Sequence, residues 1–322
     1  MDMLDVLAIG EVLIDLVAQG EARSGGWPFT ALPGGAPANV AVGAARLGRR
    51  AGFLGSFSDD FFGSWLRRLL AAEGVDLSFC PVTSKPTTLA FVGLDAEGER
   101  SFSFYRNETS DIWLTPADIT EAALAKAKAI HVCSVSLSRS PAREATLCAV
   151  QRAKERGLFV SFDVNLRPQL WADLEEARQL IGEVVAAADL VKLSEEELHF
   201  LLPGGNLAQL RARFEESGER GRARLWVLTC GRDGAVYVQG DATGAVPAFA
   251  VKATDTTGAG DAFVAALLAQ LAEQDYTMLE ARELPRVVRF AHAAAALCVQ
   301  RYGAIPALPF RAEVDEFLQA QP

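Results

Sequence analysis

The chain has 322 residues, half of them hydrophobic, with a net charge of −10 and a pI near 5.0. That is enough apolar material for one large core, and the acidic balance argues against nucleic acid or an anionic membrane as a partner. An acidic protein that handles an anion must do so through a local device.

In chain order, strand-length apolar runs alternate with segments of helical period. "VLAIGEVLIDLV" (6–17) reads as a strand, "ANVAVGAARLG" (38–48) as a helix, "AGFLGSFS" (51–58) as a strand and "GSWLRRLLAAEG" (63–74) as a helix. The alternation resumes at "AIHVCSVSL" (129–137) and runs through "SPAREATLCAVQRAKERG", "LFVSFDVN", "LEEARQLIGEVVAAA", "DLVKLS" and "RLWVLTCGRDGAVYVQ" (224–239). Strands separated by helices predict an α/β protein with a mostly parallel sheet covered on both faces. One region departs from this: "TTLAFVGLDAEGERSFSFYR" (87–106) is two β-rich runs around "DAEGE", a hairpin by its turn residues, and such an antiparallel insertion suits a lid or an oligomer contact. No linker composition and no internal repeat divides the chain, so a single domain over 1–322 is expected.

The five cysteines, Cys80, Cys133, Cys148, Cys230 and Cys298, are scattered and odd in number, and no pair has zinc-site spacing. They read as reduced core thiols. No basic leader opens the chain and no apolar stretch is long enough to span a bilayer. The cytoplasm is the expected compartment.

The chemistry concentrates at two glycine turns. In "DTTGAGDAFVAALLAQLAEQ" (255–274) a helix is expected to start near Gly258, where apolar positions become periodic and Gly258, Ala259 and Gly260 offer bare N–H groups. A helix N-terminus can hold phosphate without lysine, and Asp261 beside it could take a proton from a hydroxyl while those groups stabilise a transferring phosphoryl. An aspartate in a first helical turn is also simply a favourable N-terminal residue. In "LPGGAPANVAVGAARLG" (32–48), Gly34 and Gly35 permit close backbone approach to a ligand, and Asn39 puts a donor and an acceptor on the next helix, or merely caps it. Asp15 is an acid in an otherwise apolar strand, either exposed at its end or aimed at a polar ligand.

The pair "PGGAPANVA...ARLG" and "DTTGAGDAFVAALL" resembles the two signatures of the PfkB, or ribokinase-like, family of carbohydrate kinases, with further likeness across nearly the whole chain. The resemblance implies an α/β/α sandwich with a mostly parallel central sheet and a small β lid, here formed mainly by 87–106 with parts of 12–33. It implies transfer of the ATP γ-phosphoryl to a sugar hydroxyl, with magnesium. By position, Asp261 matches the family's base and Gly258, Ala259 and Gly260 its anion hole, while Asp15, Gly34, Gly35 and Asn39 match sugar-binding positions. "SFDVNLRPQLW" resembles the family's Asp-x-Asn-x-Arg segment, which puts Asn165 and Arg167 near the phosphates; a turn with a surface arginine is the plainer reading. Ser194 and Glu197 in "VKLSEEEL" match residues that orient phosphate and, through water, magnesium, whereas Glu195 and Glu196 need no role beyond the helix macrodipole. Thr229 and Gly231 match the nucleotide side, and His292 could lie against the adenine or simply pack within its helix. Asp255, Thr257 and Gly303 sit where family members bind potassium.

Within the family the pattern is most like fructokinases, then 2-dehydro-3-deoxygluconate kinases and aminoimidazole riboside or ribose kinases. Arg106, closing "FYR", meets a substrate carboxylate in the keto-acid kinases but is carried by sugar kinases too. "GSFSDDFFG" and "NETSDIWL" depart from the fructokinase pattern, and Ser110 and Trp113 could reshape the sugar pocket. A sugar-sensing module without turnover would lack the base, and Asp261 is present. No G-x-G-x-x-G follows the first strand and no G-x-x-x-x-G-K-S/T occurs, which argues against a Rossmann dehydrogenase and a P-loop kinase. Leu89, Phe91, Phe102 and Phe104 put apolar side chains on alternating positions of the hairpin; one face would cover the sugar and the other be buried either by a second subunit's lid, hence the expected homodimer, or against its own domain.

Overall fold

The computed structural model describes residues 3–19, 26–94, 100–216 and 224–321. Its strands are β1 (Val6–Ile9), β2 (Leu13–Ala18), β3 (Phe29–Gly34), β4 (Ala51–Leu54), β5 (Phe57–Ser58), β6 (Val82–Thr83), β7 (Leu89–Leu94), β8 (Arg100–Tyr105), β9 (Ala129–Cys133), β10 (Phe159–Asp163), β11 (Leu190–Ser194), β12 (Leu225–Thr229), β13 (Ala235–Gln239) and β14 (Ala242–Val246). Eight of them form the main sheet in the order β14-β13-β12-β11-β10-β9-β1-β4. Pairing is parallel from β4 to β12 and antiparallel for β13 and β14. β1, β4, β9 and β10 are buried at every position, which is why they read as continuous apolar runs rather than alternating ones.

Helices cover both faces. Ala142–Glu155 and Leu174–Ala187 pack Ala145, Val150, Ile181 and Val184 against one side. Ala36–Arg46, Ala259–Ala272 and Leu284–Cys298 cover the other, with Val40, Phe263, Leu267 and Val288 in one cluster. The helix Ala259–Ala272 is buried from Ala262 to its end, because it lies between the helices Ala36–Arg46 and Leu284–Cys298. A helix that is apolar all round is stable only in such a position.

The first apolar run is not one strand. It breaks at Gly10, whose φ of +146° and close contact with Pro37, 2.8 Å from where a Cβ would stand, turn the chain out of the main sheet. β1 belongs to the sandwich and β2 to the lid. "AGFLGSFS" likewise divides into β4 and the short β5, which pairs with β6 in a separate two-stranded sheet.

The lid is a four-stranded sheet in the order β3-β2-β7-β8. The hairpin is therefore not an isolated ribbon: β7 pairs in parallel with β2, as Ile14 with Leu89 and Leu16 with Phe91. Residues 95–99, the expected turn, lie outside the described residues. The register assigns the apolar positions to the two faces. Phe91 stands opposite Ser103, while Ala90 pairs with Phe104 and Val92 with Phe102, so Leu89 and Phe91 share one face and positions 102 and 104 the other. The face that carries Phe91 also holds Phe29 and Tyr105, with ring centroids 5.4 and 5.0 Å from Phe91.

Candidate active site

The candidate site starts with a turn that requires glycine. Gly258 takes φ +78° as the N-cap of the helix Ala259–Ala272, and a Cβ there would meet Ala304 at 2.9 to 3.0 Å. No side chain caps this helix. The Ala259 N–H turns back to the Thr256 carbonyl at 3.3 Å, while the N–H groups of Gly260 and Asp261 find no acceptor among the described residues. The Gly258 N–H likewise finds none, so the open donors are Gly258, Gly260 and Asp261, and of the expected hole of Gly258, Ala259 and Gly260 only the Ala259 N–H is engaged. A 14-residue helix directs its positive end at the same place.

Asp261 and Asn39 come together across the sandwich. Asn39 is buried, and its Nδ2 donates to Asp261 Oδ2 at 2.7 Å. Its Oδ1 is also buried and has no partner among the described residues, an acceptor of the kind a sugar hydroxyl satisfies. Burial pushes the Asp261 carboxyl up to about 6; the Asn39 hydrogen bond opposes this, Asp163 adds to it, and Lys192 and Arg167 oppose it. An acid half-ionised near pH 6 is suited to accept a proton at neutral pH.

The glycine turn before Asn39 is held from below. Gly35 has φ +106°, and a Cβ there would meet the Glu11 carbonyl at 2.6 Å and the Val12 Cα at 2.8 Å. The Ala36 N–H donates to Glu11 Oε1 at 3.2 Å, and Cys133 Sγ donates to the same carboxyl at 3.4 Å. Burial pushes Glu11 up to about 7. Gly34 adjoins Asp15, whose Cγ lies 3.1 Å from where a Gly34 Cβ would stand. Asp15 pairs with Leu32 on β3 and Ala90 on β7, on the lid face that also carries Phe104.

Arg106 is buried rather than reaching out. Its Nε donates to Asp111 Oδ2 at 2.5 Å and its Nη1 to Ser138 Oγ at 2.7 Å, and its buried Nη2 has no partner among the described residues. A cavity of about 320 Å³ beside it is lined by Ser103, Phe104, Arg139, Gln169 and Leu170. Ser110 is buried next to Asp111, and Trp113, partly exposed, lies under Lys85, whose Nζ is 4.4 Å from the ring centroid.

Among the residues expected on the nucleotide side, Ser194 and Glu197 form a capping box: Ser194 Oγ accepts from the Glu197 N–H at 3.2 Å and Glu197 Oε2 from the Ser194 N–H at 2.7 Å. Glu197 Oε1 accepts from the Leu166 N–H at 2.8 Å, tying this helix start to the segment of Asn165 and Arg167. Asn165 adopts φ +37°, a conformation that asparagine tolerates better than most residues. Thr229 ends β12 with its Oγ1 on the Leu193 carbonyl at 3.3 Å, and Gly231 follows at φ +52°. His292, expected either against the adenine or packed within its helix, has its Nε2 buried without a partner among the described residues. It is buried, its ring packs edge-on to Phe263 at 5.0 Å, and burial holds its pKa down to about 4.

Asp255 joins the two loops expected to bind potassium. Its Oδ1 accepts from the Thr257 N–H at 2.7 Å and its Oδ2 from the Gly303 N–H at 2.9 Å. Among the described residues, no cluster of three or more acids, histidines or cysteines could by itself hold a metal ion.

Residues that carried no expectation also stand here. Lys192 Nζ binds Asp163 at 3.0 and 3.2 Å, both buried. A lysine within "DLVKLS" is the same signal as Asp15, a charge in an apolar strand, and marks this position in the sequence. The capping box was legible too, as Ser-x-x-Glu before a helix.

A buried carboxylate at an uncapped helix start, paired with an amide from a second glycine turn and roofed by a small sheet, is the arrangement of an enzyme that passes a phosphoryl group to a hydroxyl. The chain belongs to the pfkB family of carbohydrate kinases, whose model matches residues 3–311. It is 40% identical over 318 residues to fructokinase-1 of Oryza sativa subsp. japonica, covering 98% of both chains. The ATP-bound fructokinase of Xylella fastidiosa superposes with a TM-score of 0.91 at 35% identity, covering 99% of each chain. The fructokinase of Vibrio cholerae O395 with fructose, ADP and calcium ion bound gives 0.85 at 34% identity, over 97% of this chain and 98% of that one. A double mutant of that enzyme with fructose, ADP and potassium ion gives 0.84 at 34%, over 99% of each.

Proposed function

We propose that this carbohydrate kinase is a fructokinase, transferring the γ-phosphoryl of ATP to fructose to give fructose 6-phosphate. The observation that carries the reading is the 2.7 Å bond from Asn39 to Asp261, which joins the sugar loop to the base at the open helix start; full-length likeness to fructokinases supports the choice of sugar. Asp261 takes the hydroxyl proton, and the Gly258, Gly260 and Asp261 N–H groups receive the charge of the transferring group. Asp15, Gly34 and Asn39 bind the sugar. Asn165, Arg167, Ser194, Thr229 and Gly231 lie on the nucleotide side. A coupled assay across fructose, ribose, 2-dehydro-3-deoxygluconate and aminoimidazole riboside tests this, with fructose expected to give the highest kcat/KM. A preference for the sugar acid would instead assign the orphan Arg106 Nη2 to a carboxylate, and turnover of none of them would favour a sensing module.

Magnesium fits as an ion carried by the nucleotide. Both Glu197 oxygens already accept backbone N–H groups, so Glu197 would meet it through water, as magnesium with its retained hydration shell permits. Potassium fits the loops clamped by Asp255, where carbonyls would supply the ligands and the ion would fix the direction of the hole's N–H groups. Turnover is expected to rise in potassium over sodium or a bulky organic cation, and equal rates in all three remove the site.

The lid supports a homodimer. Phe29 and Tyr105 are 41% and 66% exposed beside Phe91, an aromatic face with little reason to remain in water. Light scattering at assay concentration is expected to give a dimer that Phe91→Asp dissociates; a fully active monomer would exclude it. A cytoplasmic enzyme accords with the five free cysteines, and no helix among the described residues is long and apolar enough to cross a membrane.

A further inference from the structure

Lys192, in the middle of β11, and Asp163, the last residue of β10, face each other as register partners. Lys192 is 7% exposed and Asp163 2%, and their ion pair lies at 3.0 Å. A structural pair could sit anywhere along these strands. This one sits against the helix start: Lys192 Nζ is 3.3 Å from where a Cβ of Gly260 would stand. The missing side chain at Gly260 therefore does more than bare an N–H. It lets an ammonium reach the rim of the anion hole.

The charges around it make that ammonium necessary. Asp163 faces Lys192 from β10, Glu197 from the helix Glu195–Leu201 and Asp261 from the helix Ala259–Ala272. Arg167 follows β10, and buried His131 on β9 lies within reach of both Asp163 and Lys192. Burial disfavours a charged lysine, yet the three carboxylates hold its pKa above the ordinary value. A γ-phosphoryl group brought toward three acids would be repelled without a fixed cation. An ammonium has three protons, and Asp163 is its one hydrogen-bond partner among the described residues, which leaves a donor for a second anion.

We propose that Lys192 is a catalytic residue of phosphoryl transfer, its ammonium, positioned by Asp163, contacting the γ-phosphoryl oxygens beside the Gly260 and Asp261 N–H groups. As the sugar oxygen bonds to the γ-phosphorus and its proton passes to Asp261, the bond to the β–γ bridging oxygen breaks and ADP leaves with that electron pair. Lys192 neutralises charge on the group in flight and gives up no proton. The inference rests on the reading of Asp261 as the base.

The test separates a contact with phosphate from mere neutralisation of Asp163. Lys192→Met is expected to lower kcat about 10²- to 10³-fold, the size of losing one such donor, with the fructose KM within about threefold of wild type. Lys192→Arg should retain part of the turnover. Because Lys192→Met leaves Asp163 buried and unpaired, the deciding comparison is Asp163→Asn against the double variant Lys192→Met, Asp163→Asn. Both lack the buried acid, and only the first keeps the ammonium. Asp163→Asn should turn over at least about tenfold faster than the double variant although the two melt at similar temperatures. Equal kcat values for these two overturn the proposal, whether or not the single Lys192 variant folds. Asp261→Asn, assayed alongside, keeps the two readings apart: if it stays active the base assignment fails, and if it is inactive while the double variant matches Asp163→Asn, only the role of Lys192 fails.

Discussion

Replacing Asp261 by asparagine lowers kcat by about 10²- to 10⁴-fold, the usual contribution of a positioned general base, with fold and ATP binding retained. The substitution is nearly isosteric. An amide oxygen can still accept from Asn39 Nδ2, which holds the present carboxylate at 2.7 Å, and the uncapped helix start is unchanged. What disappears is the group that takes the hydroxyl proton. The pH profile provides a second readout. Burial raises the Asp261 carboxyl to about 6, so the active, ionised form is lost as pH falls through that value, and kcat/KM should drop about tenfold per unit well below it. In the asparagine variant the residual rate should lack that acid limb. Correctly folded Asp261→Asn with near wild-type kcat would falsify the assignment.

Asp15→Ala raises the fructose KM about ten- to a hundredfold and leaves the ATP KM nearly unchanged. A hydrogen bond to a charged group contributes about 1.5–3 kcal/mol, and a tenfold change in affinity corresponds to about 1.4 kcal/mol. Asp15 is half-buried on the lid, between its register partners Leu32 and Ala90, and Gly34 leaves room for its carboxylate. Deleting a side chain from a lid strand leaves the helix Ala259–Ala272 and its open N–H groups untouched. Initial-rate measurements with each substrate varied in turn check the split, and a raised ATP KM with an unchanged fructose KM would show that the lid has been assigned to the wrong ligand.

Much of this molecule was readable without coordinates because the signals are local. Continuous apolar runs between helical periods announce buried parallel strands, as β9, β10 and β11 are. Gly258 before a periodic apolar segment marks an uncapped helix start, since only glycine takes φ +78° there without strain. Ser194 and Glu197, three apart, spell a capping box. Each of these depends on a few neighbouring residues and their backbone geometry, so the chain states it directly.

The amino-acid sequence by itself determined the α/β alternation, the two glycine turns and the acid at the helix mouth. Only the tertiary structure decided what those groups meet. Asn39 and Asp261 bond across 222 positions of chain, and Lys192 finds Asp163 across 29. The first apolar run divides between two sheets at Gly10, and the hairpin becomes half of a four-stranded lid, which sends Phe91 and Phe104 to opposite faces. His292 packs edge-on to Phe263, a partner 29 positions away in the chain. The physical reason is common to all of them: strand order and register are selected by burial of apolar surface over the whole chain. A charged or polar side chain takes its partner from whichever segment that burial brings alongside it.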